Sequence, residues 1–155
     1  NGPKLLEYNV LLGDPETQSV LPLMDFDFAS MCMAITNGSL KDFEMKWKSG
    51  YQVSPVMVSG GYPGDYEKNI PISVNENLLK LSTAKIFYAG AKVGRREKDA
   101  ELLTSGGRVL ACSAYGTSFK EAWEKAYMGI SAVKFDKAFF RKDIGLPGAA
   151  ESGKL

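Results

Sequence analysis

Between Ser118 and Val133, apolar residues recur at three- and four-residue steps: Phe119, Ala122, Trp123, Ala126, Tyr127, Ile130 and Val133. That period predicts an amphipathic α-helix with Ser118 as its N-cap. Its apolar stripe must be covered by another layer. The run just before it, Arg108–Ala114 (RVLACSA), reads as a buried strand entered from Gly106-Gly107. Pro55–Ser59 (PVMVS), Lys85–Ala89 (KIFYA) and a short stretch near Ala138–Arg141 read as further strands. The expected fold class is therefore α+β, with a small antiparallel sheet packed against helices.

The first fifty residues read differently. Lys4–Val10 has a loose strand pattern, and its abrupt start leads us to expect further sequence upstream. Asp14-Pro15-Glu16 predicts a helix start, with Asp14 as N-cap and Pro15 at the first helical position. That helix should stop or kink near Pro22. A second helix is expected over Phe26–Thr36, with Phe28, Met31, Cys32 and Ile35 on one face and Asn37-Gly38 closing it. The tail from Gly145 is rich in Gly, Ala and Ser and is expected to fray. Two parts are expected, 1–50 and 51–155.

Composition removes several function classes. Lys and Arg number 19 against 18 Asp and Glu, so the chain lacks the basic surplus that nucleic-acid backbones demand. No stretch approaches the ~20 apolar residues of a membrane helix, so no membrane partner is expected. The two cysteines, Cys32 and Cys112, sit among apolar neighbours and read as buried free thiols, which fits a reducing, cytoplasmic setting. With no histidine in these 155 residues, they supply no histidine base and no histidine-ligated zinc. Chemistry must rest on carboxylates, amides, lysine, arginine or an oxygen-held metal.

Three groupings could carry such chemistry. Glu7 and Asn9, two apart on a strand, would project to one face as a pair of oxygen ligands for Mg2+, or would be ordinary polar residues on an exposed face. The run Gly60-Gly61-Tyr62-Pro63-Gly64-Asp65-Tyr66 allows close approach of a ligand to backbone amides, or is a turn leaving a strand. It is not a Walker loop, because no Gly-Lys-Ser/Thr follows. Gly106-Gly107-Arg108 and Arg141-Lys142-Asp143 could offer amides and cations to a phosphate, or could be a hairpin turn and a solvated basic cluster.

Taken in order, LLEYNVLLGDPETQ, SGGYPGDY, FYAGAK, LTSGGRVLACSA, AVKF and FRKDIG resemble the glycinamide ribonucleotide synthetase family, across nearly the whole chain. The resemblance implies an ATP-grasp ligase of purine biosynthesis that joins glycine to 5-phosphoribosylamine through an acyl phosphate. It implies that 1–50 is the end of the ATP-grasp lobe and 51–155 a substrate-facing C-terminal domain. Glu7 and Asn9 then become the Mg2+ ligands at the edge of the ATP site. Arg108, with Gly107 beside it, is the preferred contact for the ribose phosphate, and Lys142 the second choice.

The chain also departs from the family. Leu11 stands where relatives carry arginine in the Asn-x-Arg-Phe-Gly-Asp stretch, and Tyr88 and Ser105 stand where relatives often carry histidine. Most of the ATP site belongs to upstream sequence in this family, so these 155 residues are expected to be inactive alone. The alternative expectation is a non-catalytic interaction or structural module that keeps the synthetase's C-terminal fold.

Overall fold

The computed structural model describes residues 2, 4–6, 8, 10–96 and 99–146. Three elements follow one another early: α1 (Glu16–Val20), a 3-10 turn (Leu21–Leu23) and α2 (Phe28–Thr36). Then come β1 (Tyr51–Val53), β2 (Val56–Val58), β3 (Ser73–Val74) and α3 (Glu76–Ser82). The rest is β4 (Lys85–Tyr88), β5 (Ala91–Arg96), β6 (Asp99–Thr104), β7 (Arg108–Gly116), α4 (Phe119–Ser131), β8 (Val133–Lys134) and β9 (Phe139–Phe140). The class is α+β, as expected, with entirely antiparallel pairing.

Strand β7 organises the molecule. One edge pairs with β4, Lys85 opposite Ser113 and Tyr88 opposite Leu110. The other edge pairs with β1 and β2 in a single register, Val53 opposite Ala114 and Val56 opposite Ala111. These two are one strand interrupted at Ser54-Pro55, where proline cannot donate to the ladder. The ladder survives because Pro55 still accepts, from the Cys112 amide at 3.1 Å. β9 completes the sheet beyond β2.

From Val109 to Ala114 every β7 residue is buried, because both faces of the strand are covered. Successive side chains point to opposite faces. Cys112 faces α4, where its Cβ lies 3.7 Å from the position a Cβ on Gly129 would take. Ser113 turns the other way and donates to the carbonyl of Gln18 in α1 at 2.8 Å. The helix stripe read from the sequence is the observed one: Phe119, Ala122, Ala126 and Ile130 are buried. Full burial of Ile130 alone contributes ~1.5–3 kcal/mol. Burial also pushes the Cys112 thiol up to about 12, so it stays protonated and inert.

Helix α4 starts as the sequence predicts, with Ser118 Oγ accepting from the Glu121 amide at 3.2 Å. Glu121 reaches back to Thr117, accepting from its amide at 2.7 Å and its hydroxyl at 2.8 Å, while Lys125 Nζ lies 2.6 Å away. The Lys125 hydrogen bond, followed by those from Thr117, pulls the carboxyl from an ordinary 4.5 down to about 2. A depressed carboxyl stabilises the fold above its unfolded value and loses that contribution as pH falls through its folded value. The window here is 4.5 down to about 2. Carboxyl NMR titration should place the Glu121 midpoint near the lower end, and Lys125→Met should move it upward. A midpoint that ignores Lys125 would rule out this ion pair.

Several expectations need correction. The described residues of Lys4–Val10 form no strand and no described edge pairs with them; Leu6 is 95% exposed. Asp14 is not an N-cap. Pro15 takes that position without a side-chain bond, and the Thr17 amide is satisfied by the Gly13 carbonyl at 2.9 Å. Asp14 instead accepts from Gln18 Nε2 at 2.7 Å. Cys32 is exposed, because α2 buries none of its residues against the described chain. Asp27 caps α2, accepting from the Ser30 amide at 2.6 Å. The stretch that follows is held by edge-to-face contacts of Phe26 with Phe43 and Trp47, each at 5.7 Å. The tail expected to fray lies outside the described residues from 147 onward.

Candidate functional site

Arg108 is the first residue of β7, opposite Val58 across a register shift in the pairing. The two glycines before it are fixed by Ser59, whose amide donates to the Gly107 carbonyl at 2.8 Å and whose hydroxyl donates to the Gly106 carbonyl at 2.9 Å. A Cβ on Gly107 would sit 2.1 Å from Cδ2 of Tyr62. The glycine is therefore required where the Tyr62 ring lies on the backbone. Two motifs far apart in sequence, SGGYPGDY and TSGGRV, thus form one structure.

The Arg108 side chain is half exposed and reaches back to the N-terminal region. It donates from one terminal nitrogen to the Asp14 carbonyl at 2.6 Å, and its Nε lies 3.7 Å from the Asp14 carboxylate. A guanidinium carries five N–H donors, so this contact leaves donors free for a second anion. Gln18 and Ser19 strengthen the same junction. Ser113 donates to the Gln18 carbonyl, and Ser19 Oγ donates to Ser54 Oγ at 2.9 Å.

Beside Arg108 is a cavity of about 270 Å³, whose walls include Pro15, Val58, Tyr62, Phe139 and Arg141. Arg141 is held from two sides. Its carbonyl accepts from the Tyr127 hydroxyl at 2.7 Å, and its guanidinium grips Asp143 through two bonds of 2.9 and 2.7 Å. The Arg141 hydrogen bond keeps the Asp143 carboxyl below the usual carboxylate range. The Tyr127 hydroxyl also accepts from the Ile144 amide at 3.1 Å, so α4 positions the whole 141–144 turn.

The structure brings Arg108, Gly107 and Arg141 to one place. Lys142 is exposed and is not among the residues lining this cavity. Arg141, its neighbour, lines it instead. The FRKDIG segment held both cations, but only the path of the chain beyond β9 decides which one faces the cavity.

Glu7 and Asn9 lie outside the described residues. Among the described residues no group of three or more Cys, Asp or Glu is arranged to hold a metal ion. The carboxylate nearest Arg108, Asp14, is already bonded to Gln18. The described residues therefore do not make up a metal site by themselves. No described helix is long and apolar enough to cross a membrane.

Residues 52–147 match the family described as phosphoribosylglycinamide synthetase, C domain. The chain belongs to this synthetase family. It is 44% identical over 144 residues to a phosphoribosylamine–glycine ligase of Clostridium acetobutylicum, covering 93% of this chain and 33% of that protein. It is 43% identical over 144 residues to the bifunctional purine biosynthetic protein ADE1 of Schizosaccharomyces pombe, covering 18% of that protein. The crystal structure of the Thermotoga maritima phosphoribosylamine–glycine ligase superposes with a TM-score of 0.68 at 34% identity, over 92% of this chain and 34% of that one. The chain thus spans about a third of the length of the single-function ligases it matches. The synthetase C domain places Gly107, Arg108 and Tyr62 inside the matched region, and Asp14 outside it.

Proposed function

We propose that this chain serves as the C-terminal part of an ATP-dependent ligase that joins glycine to 5-phosphoribosylamine in purine biosynthesis, in a cytoplasmic setting. Its relatives carry that activity in their names. The observation that carries the reading is the Arg108–Asp14 contact. It ties the segment just after Glu7 and Asn9 to the mouth of a cavity that also holds Arg141. Residues 1–50 then form the end of an ATP-grasp lobe, and 51–155 the domain that closes on substrate.

In this reading Arg108 donates to the substrate phosphate with the N–H groups Asp14 does not use. Gly107 lets Tyr62 lie close enough to wall the cavity from water. Lys142, next to Arg141 in the same turn, adds positive charge nearby. Glu7 and Asn9 offer two oxygens to Mg2+, and the bound metal would neutralise charge on the phosphates of ATP. The chain's own part is to position and to balance charge, which needs no histidine.

The test uses a chimera in which this chain replaces the corresponding third of the Clostridium acetobutylicum ligase. The 155 residues alone should release no ADP from ATP, glycine and phosphoribosylamine. In the chimera, Arg108→Ala should raise KM for phosphoribosylamine by ~10-fold or more, the worth of one charged hydrogen bond, and leave KM for ATP nearly unchanged. Ligase turnover by these residues alone, or an unchanged KM for phosphoribosylamine, would overturn the assignment. The second reading, a non-catalytic module, is favoured by Leu11, and it predicts a correctly folded chimera without turnover.

A further inference from the structure

A second cleft lies at the opposite end of β7 from Arg108. Ser113 and Tyr115 are five and seven residues beyond Arg108, which at ~3.3 Å per residue puts this end roughly 17–23 Å away. The register fixes what gathers there. Lys85 is opposite Ser113, and Gln52 is opposite Tyr115. Directly opposed residues share a face of the sheet, and so do residues two apart on one strand. Lys85, Phe87, Gln52, Ser113 and Tyr115 therefore stand on one face, the face away from α4. They line a cleft of about 520 Å³, with Lys48 at its edge.

Its chemistry is one-sided. Two lysines line it, and no carboxylate does. Among the described residues neither lysine has an ion pair. Lys48 Nζ gives one proton to the Pro22 carbonyl at 3.1 Å, leaving two donors. The Tyr115 hydroxyl donates to the Ser49 carbonyl and keeps its acceptor capacity.

One buried group in this cleft lacks a partner. Gln52 Nε2 donates to Ser113 Oγ at 2.5 Å, while Gln52 Oε1 is buried with no hydrogen bond among the described residues. Ser113 Oγ donates to the Gln18 carbonyl and also lies 2.7 Å from Ser54 Oγ, so the Gln52 amide is held in a hydrogen-bonded cluster on the wall of the cleft.

We propose that this cleft is a second anion site, taking a small phosphate monoester. Two ammonium groups on separate elements match the two charges of a phosphate monoester better than the single charge of a carboxylate. The Tyr115 hydroxyl oxygen stays available as an acceptor, and Phe87 covers the carbon skeleton. The volume suits a ligand of this size. The site goes beyond the proposed ligase role and uses none of the residues assigned to it.

The test is an NMR titration of this chain with glycerol 3-phosphate, following the Gln52 side-chain amide. Saturable shifts of that amide are expected, with glycerol itself producing none. Lys85→Gln, an exposed strand position that should fold normally, should weaken binding by ~10-fold or more. Lys48→Gln should weaken it in the same direction. Arg108→Ala, which disables the proposed substrate contact, should leave it unchanged. No saturable shift, an affinity unchanged by both lysine substitutions, or loss of binding in Arg108→Ala would overturn the proposal. Failure of the ligase reading would leave these outcomes unaffected.

Discussion

In the chimera with the Clostridium acetobutylicum ligase, Leu11→Arg is expected to raise kcat by ~10²–10³-fold, the usual worth of one charge contact made in the transition state. By the family resemblance of the sequence, arginine is the residue expected at this position, two residues after the asparagine proposed as a Mg2+ ligand. Leucine offers no charge and no donor. The structure leaves room for the change, because the Leu11 side chain is 81% exposed. Its reach is also right. It stands three positions before Asp14, which Arg108 anchors, so it lies within ~11 Å of that anchor along the chain. Steady-state kinetics on the two chimeras decides the matter. A rise in kcat with little change in KM would show that the chain keeps the rest of a working site. No rise in a folded chimera would move the conclusion to the non-catalytic module.

Replacing Gly90 by alanine should cost ~3 kcal/mol of stability, at the upper end of what overpacking a filled site costs. A Cβ there would lie 2.5 Å from the Arg108 carbonyl oxygen, 2.7 Å from Gly106 Cα and 2.9 Å from Gly106 N. All three are backbone atoms, so no side chain can swing aside. The backbone cannot easily retreat either. The Gly90 amide donates to the Arg108 carbonyl at 2.8 Å, and its own carbonyl accepts from Ser105 and Gly106 at 2.7 and 3.0 Å. For a domain of this size the loss corresponds to roughly 6–12 °C in Tm. Gly38→Ala is the control. It has a φ of +70° but nothing within 4 Å, so only the backbone preference is lost, ~1 kcal/mol. Calorimetry of the two variants tests the contrast, and equal losses would mean that the Gly90–Gly106 contact is not as tight as described.

Gly90 and Gly107 also show why the glycine motifs were hard to interpret from sequence. SGGYPGDY and TSGGRV admitted a reading as amide cradles for a ligand, and FYAGAK carried only the family resemblance. In the fold they meet one another: Gly90 against Gly106, and Gly107 under Tyr62. Their first task is to let three chain segments touch. That task in turn positions Arg108, so packing and the proposed substrate contact are not rival explanations here.

What the sequence determined by itself was whatever has a short-range or periodic cause. The α4 stripe and its Ser118 cap, the buried β7 run, the break of the first helix at Pro22 and the inert Cys112 thiol all follow from local pattern and hydrophobicity. So does the family, through motifs in order. The hairpin β5–β6 escaped notice because its polar, charged sequence carries little alternation, and β3 and β8 because two residues cannot show a period. The helix α3 carried a usable signal, Asn75 accepting from the Leu78 amide at 3.1 Å, but at seven residues its periodicity was short. Tertiary structure alone decided which charges meet. Asp14 left its expected cap for Arg108 and Gln18, Arg141 rather than Lys142 reached the cavity, and Lys85 came to stand beside Gln52. Apart from the local Asp14–Gln18 bond, these contacts join residues tens of positions apart, and a single sequence holds no physical signal of distance until the strands have chosen their register.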